Sequence, residues 1–454
     1  MTYDHNHLPV EKIGAWMLSI VATGLVFFQF HVVLFGETLN LNLADPFALL
    51  ALAATVSHCI SARAPLVWRW REFNKTLLVI SVLLLFAFVY GARTIGVTSW
   101  ALGGRLIGWL VLLGYLCIGP LTVSCLGMRG MRRLFETLVV MAGIVVLSCV
   151  LVRCLALAGW ADNLIPGNFE GYAGNRNAFA FQMLACSVLL IAFSQYQARQ
   201  ARRLPRLLNR NRLLVFFHGL ILTGLVLSAS RAGIGAGVVL FLFVWAARLV
   251  DRRMLLSSIM WAALIWMILV WVLPWLAAWV LGNAALVKNA DAVNRLARLQ
   301  SGFSHESSNL VRWETIRHGL EMWLDSPFLG VGLGVFIEKS MLWFGRPTVI
   351  HSTPVWILVE FGLVGAFILF MAFFRLCVFA WRSRQAASRF DRAVFMLLGV
   401  FAVFGAVHEI FYQRIFWLAL GACLALPLHA SFVPYAPNSG NPRKFPDARS
   451  PVRS

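Results

Sequence analysis

Residues Thr348–Phe367 read TVIHSTPVWILVEFGLVGAF. A polar approach and a histidine stand three residues ahead of a proline, and the run beyond has the length and apolarity of membrane. Ser352 or Thr353 is placed to cap the helix that follows. Pro354 suits its first turn, where a missing N–H costs nothing. His351 thus sits at the mouth of an apolar helix, and the rest of the chain decides what that position means.

Composition identifies the solvent. Hydrophobic residues make up 60% of the 454 and charged residues 13%, with a mean hydropathy of +0.77. Apolar runs of roughly 18 residues or more recur along the chain, as in polytopic membrane proteins. The formal net charge of +20 is not a nucleic-acid signature, because no recognition motif accompanies it and the basic residues cluster in short loops. The eight cysteines lie in or beside apolar segments without a CxxC pair, which reads as small buried hydrophobes and no disulfide. The first apolar run lacks a small-residue cleavage site and is expected to be retained as an anchor.

Twelve spans are expected, near 13–35, 44–60, 76–91, 100–121, 134–158, 177–195, 213–229, 232–249, 254–281, 354–380, 393–411 and 414–430. The loops after the even-numbered spans are basic, for instance Arg129, Arg132 and Arg133, or Arg199, Arg202 and Arg203. The positive-inside rule makes those loops and both termini cytoplasmic, and puts the odd loops outside. The organisation is then nine spans over 1–281, a long outer loop at 282–353, three spans over 354–430, and a Pro-, Arg- and Ser-rich tail at 431–454 too polar to pack. Within the outer loop, Asn309–Leu324 aligns Leu310, Trp313, Ile316, Leu320 and Trp323 in one stripe, and Asp291–Phe303 forms a second, shorter amphipathic pattern. Both helices are expected along the membrane face. Between the first of these and the next span, GVGLGVF (Gly330–Phe336) calls for a tight, glycine-shaped backbone.

The informative residues are arginines that break the charge rule. Arg93, Arg176, Arg231 and Arg414 fall in short outer loops. Arg105 and Arg153 lie about 8 Å inside the outer ends of their spans at 1.5 Å per residue. One such arginine can snorkel, or pair with Asp162, Glu170 or Glu409. Several at one level make an electropositive pocket, and a guanidinium fork suits phosphate. Arg176 sits in GNRNAFAF (from Gly174), where Asn177 can cap the helix. Arg231 sits in the short hairpin SASRAG (from Ser228), where Gly233 and Gly235 permit close packing. Asp45, ahead of Pro46, reads as a helix cap. His351 reads either as a linker residue or as a general base, whose imidazole titrates near about 6.5 when unperturbed and is held neutral by nearby arginines. His31, His305, His318 and His408 compete for that role. The outer histidines show no metal-ligand spacing, so no metal or other cofactor is expected.

Taken in order, GNRN, the SRAG hairpin, the Arg-Trp outer helix followed by proline and GVGLGVF, and the histidine heading a span that continues with Glu360 and GLVG resemble the O-antigen ligase and polymerase superfamily of bacterial membrane glycosyltransferases. The likeness covers roughly residues 170–370. It implies an all-α polytopic, GT-C-like fold and a periplasmic active site on the inner membrane. It also implies an inverting, metal-independent transfer of polysaccharide from undecaprenyl diphosphate to the lipid A core. Carried onto this chain, His351 matches the catalytic histidine and Arg231 a diphosphate-binding arginine, with Arg176 and Arg312 at motif positions. Many superfamily members have asparagine after the histidine, where this chain has Ser352. A polymerase shares the donor. A flippase or other transporter would instead concentrate charge and broken spans near mid-membrane.

Overall fold

The computed structural model describes residues 9–34, 37–63, 66, 68, 70, 72–157, 169–201, 208–247, 249, 252–272, 306–383 and 389–425. The expected helix at 291–303, the tail from 431, the possible arginine partner Asp162 and the competing histidine His305 lie outside the described residues. The helices are α1 (Pro9–Leu25), α2 (Asp45–Ala62), α3 (Phe73–Ile95), α4 (Gly108–Leu157), α5 (Arg176–Ala201), α6 (Leu208–Leu227), α7 (Arg231–Ala246), α8 (Arg252–Met267), α9 (Glu306–Asp325), α10 (Val335–Phe344), α11 (Thr353–Ser383), α12 (Arg389–Gly405) and α13 (Arg414–Leu424). Four stretches within them and the π-helical turn that leads into α4 are long and apolar enough to cross a membrane: 73–95, 100–123, 130–152 and 353–382. Seven shorter apolar helices accompany them among the described residues.

One strand pair departs from the all-α expectation. The first span, read as 13–35, stops at Leu25, and an antiparallel hairpin of β1 (Gln29–Leu34) and β2 (Glu37–Asn42) follows. The fourth and fifth spans are present at 100–123 and 130–152, and α4 runs through both with a non-helical break at Gly127, whose φ of 57° only glycine adopts readily. Of the basic residues expected in the loop between them, Arg132 and Arg133 lie in the first turns after the break, and Arg132 pairs with Glu136 one turn on. Helix α5 occupies the centre. Its residues from Phe179 to Ala192 are all buried, as expected of a helix apolar on every face, and it packs on α4, α6, α7, α12 and α13. Outer helices such as α3 expose Leu78, Val82 and Phe86, and α11 exposes Phe367 and Phe374. Surface of this kind is covered by lipid chains in a spanning protein.

The amphipathic helix expected at 309–324 is present as α9, but its apolar stripe is split: Leu310, Trp313 and Leu320 are exposed, whereas Ile316 and Trp323 pack partly buried against the core. Leu310 and Trp313 are 62% and 68% exposed, while Thr315, Gly319 and Met322 are buried. The reason is backbone proximity: a Cβ on Gly319 would sit 3.1 Å from Ile350 and 3.2 Å from Val359 of α11. Small residues let α9 approach, and Leu310, Trp313 and Leu320 are left outward, as are Phe328 and Leu342 in the segment that follows.

The GVGLG segment explains a break in α11. At Gly362 (φ 65°) the helix is interrupted, so the Leu363 and Val364 N–H groups lose the Val359 and Glu360 carbonyls. The loop exchanges them. Leu363 and Val364 donate to the Pro327 and Phe328 carbonyls (2.9 and 3.1 Å), while Val331 and Gly332 donate to those of Val359 and Glu360 (2.9 and 3.1 Å). The two N–H groups and two carbonyls freed by the break are thereby paired, as a membrane interior demands. Leu333 N–H reaches the Ala87 carbonyl of α3 at 2.9 Å, and the Glu360 carboxylate accepts from Gly334 N–H and Trp356 Nε1. Glu360 is thus a polar bridge from α11 to the GVGLG segment.

A Cβ on Gly332 (φ 94°) would lie 2.5 Å from the Gly91 Cα. Gly332→Ala is therefore expected to cost about 3 kcal/mol or more, through both strain and collision. Gly345 has the same sign of φ (64°) with nothing nearby, so Gly345→Ala is expected to cost only about 1 kcal/mol. Thermal unfolding of the two variants in detergent, followed by tryptophan fluorescence, checks the difference; equal losses would mean that collision plays no part.

Candidate functional site

Two short motifs are tied to each other. Asn175, not Asn177, caps α5: its Oδ1 accepts the Asn177 N–H at 2.7 Å. The freed Asn177 Oδ1 accepts the Ser230 hydroxyl at 2.8 Å. Ser230 Oγ in turn accepts Gly233 N–H at 3.1 Å and caps α7. GNRN and SRAG are therefore bonded together, and Arg176 and Arg231, each the first residue of its helix, arrive at one place. Ala229 takes a left-handed φ of 50° to make the turn. Gly233 allows the expected close packing, since a Cβ would be 2.6 Å from that of Ala180, whereas Gly235 has open space.

Arg312 joins them from the inward face of α9. It is half-buried, and its guanidinium is held below the ordinary arginine range by burial first, then by the Arg231 and Arg176 charges. Three like charges gathered in this way favour an anion between them.

His351 is fixed by the residues after it. The Thr353 N–H and hydroxyl both donate to the His408 carbonyl (3.2 and 2.8 Å), and Thr353 Oγ1 accepts the Ile410 N–H at 3.0 Å. The start of α11 is thereby stapled to the 406–413 loop, and the His351 and His408 rings meet edge to face with centroids 6.3 Å apart. Burial, then Arg312, pulls the His351 imidazole down to about 4, against an opposing pull from Glu409. His408 is lowered to about 3 by burial, then Arg312, then His351 and Arg176. Both rings are neutral at physiological pH and able to accept a proton. His408 had stood only as one competitor among four; its carbonyl anchors Thr353 and its ring faces His351. His318 is elsewhere, stacked on Trp343 at 4.5 Å.

The remaining predicted arginines differ. Arg105, 4% exposed, lies in a π-helical turn at Trp100–Ile107. Both arms of its fork are spent on Glu409, at 2.7 and 2.9 Å, and the rings of Trp100, Trp356 and Tyr412 surround it at 4.7–5.3 Å. Its charge is compensated within the protein, which corrects the expectation that the fork is offered to phosphate. Arg153 lies on α4, but its side chain is outside the described residues. Arg414 is likewise bidentate to Asp45 (2.7 and 2.8 Å), which also accepts from Tyr115 and the Asn42 N–H. Asp45 is an ion-pair partner and not a side-chain cap. Among the described residues no group of three or more His, Cys, Asp or Glu side chains is arranged to hold a metal ion.

A cavity of about 320 Å³ opens beside His351 and His408. Its walls include Gln29 and Asn40 of the hairpin, Asn175 and Asn177, and Gln413. The site as a whole collects the N-terminal ends of α5, α7, α11 and α13.

The fold and site define a helical membrane protein with a cationic cluster and a paired-histidine cavity at one set of helix ends. Residues 216–370 match the family model described as O-Antigen ligase, so that segment is similar to the O-antigen ligase family. Arg231, Arg312 and His351 fall inside the match; Arg105, Arg153, Arg176 and His408 fall outside it. No curated protein matches the chain.

Proposed function

We propose that this chain is an O-antigen ligase of the bacterial inner membrane. It transfers polysaccharide from undecaprenyl diphosphate to the lipid A core at the periplasmic face, through a twelve-span GT-C-like fold with both termini cytoplasmic. The observation that carries the reading is the cluster of Arg176, Arg231 and Arg312, with Arg312 reaching a neutral, part-buried His351, three of these four residues lying within the segment of O-antigen ligase likeness.

The chemistry follows from the groups present. His351 takes the proton of an acceptor hydroxyl as that oxygen attacks the anomeric carbon from the face opposite the diphosphate. The carbon–oxygen bond to phosphate breaks and the configuration inverts. Negative charge grows on the departing diphosphate, where fixed guanidinium groups stabilise it without a metal ion. The break in α11 at Gly362, which a transporter would turn toward substrate, is filled here by the chain's own backbone.

Deleting the gene tests the reading. Electrophoresis of the lipopolysaccharide is expected to show bare lipid A core while full-length polymer accumulates on undecaprenyl diphosphate. A core carrying a single repeat unit would make the protein a polymerase.

A further inference from the structure

We propose that the cavity beside His351 seats an uncharged pyranose ring, that of the acceptor whose hydroxyl His351 deprotonates; this assignment rests on the transferase reading. The formal charges on the cavity wall cancel in pairs, Arg105 with Glu409 and Arg414 with Asp45. What remains for a ligand is neutral and polar. Gln29, Asn40 and Gln413 line the cavity, and none of their side-chain amides hydrogen-bonds another described residue; Gln413 precedes α13 without capping it. An amide donates and accepts at once, as does a sugar hydroxyl, whereas an anion would leave half of each amide unsatisfied.

The volume of about 320 Å³ is at the small end of ligand pockets, suited to one or two rings of a longer glycan. The three clustered arginines are not among the lining residues, yet the Arg312 charge reaches both histidines that are and the Arg176 charge reaches His408. His351 therefore stands between a cationic cluster and a neutral cavity. A glycosyl transfer needs that division, with the charged leaving group on one side of the base and an uncharged nucleophile on the other. Because Gln29 and Asn40 belong to the β-hairpin, the hairpin determines which sugar is accepted.

The test uses the full chain in lipid nanodiscs, with Asn40→Ala, Gln413→Ala and the double variant, each confirmed as folded by its thermal transition. Each amide lost is expected to raise the KM for lipid A core about 5- to 10-fold, with kcat and the donor KM unchanged. Saturation-transfer NMR with methyl hexopyranosides is expected to show binding that the double variant loses and Arg231→Ala retains. Unchanged acceptor KM and unchanged NMR signal in folded variants would overturn the assignment. A rise in donor KM alone would also overturn it, placing the donor's first sugar in the cavity. A wild-type protein that binds the hexopyranosides through these amides but transfers no glycan would sink the ligase reading and leave the neutral-sugar site standing.

Discussion

His351→Ala is expected to lower transfer by about 10²–10⁴-fold, the usual contribution of a positioned general base, while donor binding survives on the arginines. His351→Gln, which keeps a hydrogen bond but accepts no proton near neutrality, is expected to be equally inactive. Thr353→Val separates position from chemistry. It removes the hydroxyl that bridges the His408 carbonyl and Ile410 N–H and is expected to loosen His351 and lower kcat without eliminating it. The pH profile adds a sign. In the free enzyme the imidazole, lowered to about 4, is neutral above that pH, so kcat/KM is expected to stay flat down to about pH 5 and fall only as pH drops through 4. A bound diphosphate offsets the Arg312 charge, which is second to burial among the forces lowering the ring. The acid limb of kcat, reporting the bound enzyme, is then expected at higher pH than that of kcat/KM. An active His351→Gln enzyme would reduce the histidine to a positioning group, and an active His351→Ala enzyme would return it to a linker.

Much of this site was legible in the sequence, for a physical reason. A charge or imidazole at the end of an apolar run is costly unless it is used, so Arg176, Arg231 and His351 stood out against their surroundings. The same reasoning flagged Arg105 and named Glu409 among its possible partners, but could not choose between ion pair and ligand, because that depends on a contact across 304 residues of chain. The hairpin was hidden. Gln29–Asn42 begins inside an apolar stretch long enough to read as span, and strand pairing leaves no mark on a helical length count. The GVGLG glycines announced a tight backbone, yet not its destination, since the hydrogen bonds exchanged at Gly362 are backbone groups that any sequence carries. Helix α9 shows a further limit. Periodicity locates an apolar stripe, but Leu310 and Trp313 of it turn outward while Thr315 and Gly319 pack inward.

Arg231 carries the other large effect. It begins α7 where Ser230 ties that helix to Asn177, so its backbone is held by a cap on one side and an interhelical hydrogen bond on the other. A guanidinium positioned in this way loses little freedom when a diphosphate arrives, and in a partly buried site its hydrogen bonds are stronger than in water. Arg231→Ala is expected to lower transfer about 10²–10³-fold, the scale for removing one preorganised donor that faces developing negative charge. Arg231→Lys is expected to recover only part of that loss, because an ammonium restores the charge and not the two-pronged geometry. Arg176→Ala and Arg312→Ala are expected to be milder. The informative measurement is single-turnover transfer alongside donor binding, in protein of normal abundance. A general loss of folding would lower both and would not be repaired by lysine. Selective loss of the transfer rate with partial lysine rescue identifies a group that grips the leaving diphosphate. Normal transfer by Arg231→Ala would mean that the diphosphate lies elsewhere.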